Sequence, residues 1–99
     1  MTAHNTDANH TAVIRGLRSC GYRVEDLSVM GGGVPDLLVG TPWRTLCLLE
    51  VKNPEKPPSE RRLTPQQLTW HALWRHFQVY VVLSAGDAVA QMSAGRKVA

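Results

Sequence analysis

The spacing of apolar positions changes period several times along this chain. From about Asn9 to Cys20, His10, Val13, Ile14 and Leu17 follow the i, i+3, i+4, i+7 rhythm of one helical face. Asp7 stands where an N-cap belongs, and Gly21 where a helix stops. Tyr22 to Ser28 alternates, with Tyr22, Val24 and Leu27 as the apolar positions of a half-exposed strand. Two runs, Leu37 to Val39 and Leu46 to Val51, are apolar on consecutive positions, which predicts central strands covered on both faces. The helical rhythm returns with Trp70, Leu73, Trp74 and Phe77, a face expected to lie on the sheet. This second helix opens at Thr64 as N-cap, with Pro65 in its first position and Gln67 completing a capping box. Val79 to Leu83, rich in β-branched residues, predicts a buried parallel strand. Ser84 is placed to cap a short last helix through Met92, followed by a frayed polar tail. The predicted order is αβββαβα, an α/β domain.

Between the two central runs the chain is short enough for a hairpin centred on Trp43. Antiparallel pairing places Leu38 opposite Leu48 and Asp36 opposite Glu50, with their Cβ atoms about 5 Å apart, in a register that a bulge in the three-residue loop would shift by one. Strand alternation returns Lys52 to the side of Glu50 about 7 Å further on. Two carboxylates at that separation repel one another unless a cation lies between them.

Composition narrows the setting. The chain has 99 residues and 43% apolar content, which suits one globular domain over 1–99 with an ordered core near 7–92. Trp43, Trp70, Trp74 and Phe77 are available for that core. A net charge of +3 is compatible with a polyanionic partner but does not select one. Cys20 and Cys47 have no further pair to make a disulfide framework or a metal site, and read as reduced core thiols. The first residues lack the pattern of a signal peptide, and no apolar run approaches the roughly 18 residues of a membrane span. A cytoplasmic protein that needs no membrane is the expectation.

Candidate chemistry follows from the polar end of the hairpin. Asp36 and Glu50, with the carbonyl of Val51 as a third oxygen, suit a hard cation such as Mg²⁺ or Mn²⁺. Such an ion polarises a phosphoryl oxygen and acidifies a water, and Lys52 is placed to orient that water or neutralise growing charge. Acyl transfer is a poor match, since no Ser or Cys has a readable His and acid partner. Gly31-Gly32-Gly33 reads first as a turn, and also as a stretch without side chains that lets another backbone approach Asp36. From Asn53 to Arg62, three prolines predict an extended, solvated loop whose Lys56, Arg61 and Arg62 reach toward phosphates. Gln67 leans toward the sheet, with capping as its first role. His71 and His76, five apart, do not align on one helical face and read as surface or boundary residues.

With these residues in place, the chain resembles the PD-(D/E)xK nuclease superfamily through Pro35-Asp36 and Glu50-Val51-Lys52. More narrowly it is similar to the small stand-alone VRR-NUC domains of phages and bacteria, from about Asp7 to Met92. That resemblance implies a restriction-endonuclease-like αβββαβ core, a mixed sheet flanked by helices, and a metal-dependent endonuclease acting on DNA. It further implies homodimers selective for branched structures such as Holliday junctions, no organic cofactor, and Gln67 beside Asp36, Glu50 and Lys52 in the site. The first helix departs from the pattern. Where a further acid is often found it has Asn9, an accessory neutral ligand at most, which favours one cation over two. A non-catalytic DNA-binding or assembly module on the same fold is the alternative.

Overall fold

A computed structural model describes residues 8–98; the N-cap expected at Asp7 lies outside them. The elements are α1 (Ala8–Ser19), β1 (Arg23–Asp26), β2 (Leu37–Gly40), β3 (Leu46–Val51), α2 (Pro65–Leu73), β4 (Val79–Val82) and α3 (Ala85–Val98). The strands form one mixed sheet in the order β1-β2-β3-β4, the first three antiparallel and β4 parallel to β3. This is the predicted α/β architecture, with its αβββαβα order.

Local chemistry sets the joints. α1 ends in a Schellman motif, with the Tyr22 N–H on the Leu17 carbonyl at 3.1 Å and the Gly21 N–H on that of Arg18 at 3.2 Å. Gly21 takes φ 88°, a left-handed turn that delivers the chain into β1. The β2–β3 hairpin closes with the Thr41 N–H on the Thr45 carbonyl and the Thr45 N–H on the Thr41 hydroxyl. The three-residue loop this encloses, Pro42-Trp43-Arg44, has Arg44 at φ 70°. Leu38 stands opposite Leu48 as predicted, so no bulge shifts the register. Each sheet edge carries a side chain on a strand carbonyl, Arg18 on Val24 and Gln91 on Val81, which blunts it against further pairing.

The core lies on one side of the sheet. Val13 and Leu17 from α1, and Ala88 and Met92 from α3, close over Val24, Leu37, Val39, Cys47, Leu49 and Val82. Each fully buried Leu or Val there contributes about 1.5–3 kcal/mol of burial free energy.

The opposite face corrects several expectations. It carries Leu38, Leu46, Leu48, Val79 and Val81, and α2 lies on that side, where Gln67 reaches Glu50. Leu46 is 70% exposed, and Leu73, Trp74 and Phe77 are also exposed, so neither the face nor the α2 stripe is covered as predicted. Helix length accounts for part of this. α2 stops at Leu73 with Trp74 as C-cap, which leaves Phe77 beyond the helix, and Trp74 stacks on Trp70 at an interplanar angle of 6°. What remains beneath is an open hollow of about 430 Å³ lined by Leu38, Leu46, Leu48, Trp74 and Phe77.

Three further differences are local. The polar tail is helical to Val98, because the Arg96 guanidinium sits 4.9 Å from the Trp43 ring centre and Met92 is fully buried. Cys20 is exposed after the end of α1, while Cys47 is buried with its thiol on Gln78 Oε1 at 3.3 Å. The proline-rich loop is not extended throughout: Asn53 to Lys56 turns, and Pro58–Glu60 winds one 3₁₀ turn.

Candidate active site

Hydrogen-bond alternation from Thr41–Thr45 makes Leu37–Leu49 a bonded pair, and continuing it makes Asp36–Glu50 a non-bonded one. Non-bonded pairs bring side chains closest, with Cα atoms about 4.5 Å apart. The next pair sets Pro35 against Val51. Proline has no N–H to give, so the Val51 carbonyl gets no ladder donor from it, and the Val51 N–H turns instead to Asp36 Oδ2 at 2.9 Å. The proline before the acid thus frees a carbonyl and lets the backbone aim the carboxylate.

Glu50 is 3% exposed, and its Oε1 has no hydrogen-bond partner. Burial, then the nearby Asp36 carboxylate, push its carboxyl up to about 8, against the pull of Lys52. A carboxylate in that condition takes either a proton or a cation.

Gln67 joins the parts. Its Nε2 donates to Glu50 Oε2 at 3.0 Å, while its Oε1 accepts from Lys52 Nζ at 3.0 Å and from the Thr64 N–H at 2.9 Å. Lys52 Nζ lies 3.7 Å from Glu50 Oε2. The predicted capping box is present, with Thr64 Oγ1 accepting from the Gln67 N–H. One amide therefore caps α2 and bridges acid to lysine. Thr64→Ala is expected to cost about 1 kcal/mol in thermal unfolding, with Gln67 kept near Glu50 by its remaining bonds.

α2 is seated by the glycine turn. Gly33 has φ 86°, and a Cβ there would stand 2.5 Å from the Gln66 carbonyl oxygen. At Gly33 the close approach is thus to the protein's own helix, while Gly31 and Gly32 border open space.

The donor set fits one hard cation. It offers two facing carboxylates, an orphaned carboxylate oxygen and a carbonyl without a ladder donor. Among the described residues no group of three or more His, Cys, Asp and Glu side chains is placed to hold a metal. Asn9 is close by as a donor, its Nδ2 on the carbonyls of Lys52 at 3.0 Å and Leu83 at 3.2 Å. Lys56 and Arg62 are exposed on the loop after Lys52; Arg61 is half-buried, its Nε enclosed and without a partner.

His71 lies nearer the site than its sequence reading suggests. It is half-buried with Nε2 enclosed, and burial, then the charge of Lys52, lowers its basicity. Its distance from Gln67, four residues and hence one helical turn, is the spacing that points to it. His76 is exposed, as expected.

No protein-family model matches the sequence, and no curated protein matches it. A solved structure described as a VRR_NUC domain superposes with a TM-score of 0.60 and 29% sequence identity, covering 84% of this chain and 88% of that one. The chain therefore has the nuclease-type fold of a VRR_NUC domain, to which it is similar in sequence over most of its length.

Proposed function

We propose that this chain is a divalent-cation-dependent endonuclease that hydrolyses DNA phosphodiester bonds, with Asp36, Glu50, Lys52 and Gln67 as its working side chains. The observation that carries the reading is the Gln67 amide holding Glu50 and Lys52 together beside Asp36, in a cluster fit for a cation. Mg²⁺ or Mn²⁺, held by Asp36, Glu50 and the Val51 carbonyl, would supply Lewis acidity toward a phosphoryl oxygen and a more acidic water. Lys52 Nζ offers positive charge and N–H donors to the phosphate or to the attacking water. Gln67 limits the directions Lys52 can take. Lys56 and Arg62 meet the flanking phosphates.

The finer reading is selectivity for branched DNA by a homodimer. The exposed Leu46, Trp74 and Phe77 around the open hollow form the apolar surface on which a second copy would sit, presenting two sites to one junction. The absence of a third acid from the cluster, among the described residues, favours a second reading, a DNA-binding module without turnover.

Four-way junction, flap, single-stranded and duplex DNA incubated with the protein in Mg²⁺, Mn²⁺ or chelator separate these readings. Cutting of at least one substrate in metal and none in chelator is expected; binding without cutting in either metal would leave only the module. Binding should weaken steeply with salt, and Lys56→Ala or Arg62→Ala should each lower the log–log salt slope by about 1.

A further inference from the structure

Two carbonyls at the C-terminal ends of the parallel strands β3 and β4, those of Lys52 and Leu83, lie past the last ladder pair, Val51 with Val82. The Lys52 N–H is already held by the Val82 carbonyl at 2.9 Å. Both carbonyls are met from the second residue of α1 by Asn9, whose Nδ2 carries two N–H donors. A carboxylate at that position would set acceptors against acceptors.

We infer that Asn9 is a positioning residue: by clamping the Lys52 and Leu83 carbonyls it fixes the peptide from which the Lys52 side chain reaches Gln67, and it is not a cation ligand. The role rests on the proposed reaction for its consequence but not for its geometry. With the N–H of Lys52 bound to β4 and its carbonyl bound to α1, the residue is fastened on both sides just where the chain leaves the sheet for the Asn53–Arg62 loop. Its ammonium then meets Gln67 Oε1 from a peptide anchored independently of that loop. Side chains that orient site residues in this way commonly change activity by about 10–100-fold when removed.

The test compares the full-length wild type with Asn9→Ala, Asn9→Asp and Asn9→His, the last keeping an N–H at similar reach in case the alanine variant does not fold. The first readout needs neither metal nor activity: the NMR signals of the Gln67 side-chain amide, which touches Lys52 and Glu50 but not Asn9. They should shift and broaden in Asn9→Ala and Asn9→Asp, and less in Asn9→His. The second is Mn²⁺ affinity by titration calorimetry, expected to stay within about threefold of wild type in Asn9→Ala, while the cutting rate at saturating metal falls about tenfold or more with KM for DNA unchanged. Unmoved Gln67 signals would overturn the proposal. So would Asn9→Asp binding Mn²⁺ more than about tenfold tighter and cutting as fast as wild type, which would make the position a ligand site. If the wild type cuts no DNA while the Gln67 signals move as expected, the nuclease reading fails and the clamp stands.

Discussion

Glu50→Gln is expected to remove DNA cutting, by about 10³-fold or more, while making the metal-free protein harder to unfold. The two effects share one cause. The Glu50 carboxyl is buried against Asp36 and holds its proton up to about 8, so in the folded state it gives up its charge only at a cost. Because its folded pKa is raised above the ordinary carboxylate value of 4.5, the folded chain binds more protons than the unfolded chain between those two values. The contribution of Glu50 to stability is therefore full below about pH 4.5, falls as pH rises toward 8, and is flat again above it. Glutamine has no charge to lose, can still accept from Gln67, and should flatten that slope, leaving the variant about 1–2 kcal/mol more stable at pH 8. Thermal unfolding of wild type and variant from pH 5 to 9 in chelator checks this directly. An unchanged slope would show that Glu50 does not carry the pH dependence. For the same reason, a Mg²⁺ or Mn²⁺ ion held as proposed would have to displace the proton from Glu50, so cation affinity should climb with pH and level off above about 8. Asp36→Asn should also abolish cutting, with DNA affinity unchanged or raised because a negative charge has left the phosphate's path.

What the sequence made legible was what short-range pattern encodes. The strands, their order and the Leu38–Leu48 register follow from period and loop length, and the register brings Asp36 to Glu50. Thr64-Pro65 and Gln67 announce the start of α2 because capping is local chemistry. Three things were hidden for reasons of geometry. The end of α2 at Leu73 breaks the stripe of Trp70, Leu73, Trp74 and Phe77, whose last two members keep helical spacing in the sequence without lying within the helix. The helical tail is secured in part by Arg96 over Trp43, a contact between distant parts of the chain that no hydrophobic period records. Asn9 reads as a poor substitute for an acid because a sequence ranks a side chain by its oxygens, whereas here the amide N–H groups do the holding.

Gly33→Ala is expected to damage the site without touching any of its side chains. The substitution meets two separate obstacles. A left-handed φ of 86° costs an L-residue about 1–2 kcal/mol. The new methyl would also stand 2.5 Å from the Gln66 carbonyl oxygen and 2.8 Å from its carbon, and displacing packed backbone adds about 1–3 kcal/mol. Gly31 and Gly32 provide the control, since both have φ 67° and open space where a methyl would stand. Gly31→Ala and Gly32→Ala should therefore show the conformational cost alone, with cutting close to wild type. Gly33→Ala should lose more stability than either and cut about a hundredfold more slowly, because the first turn of α2 carries Gln67 and cannot retreat from Gly33 without drawing the amide away from Glu50 and Lys52. Denaturant unfolding and single-turnover cutting of the three variants decide the matter. Equal losses at all three positions would mean that the turn acts through its own backbone and not by seating α2.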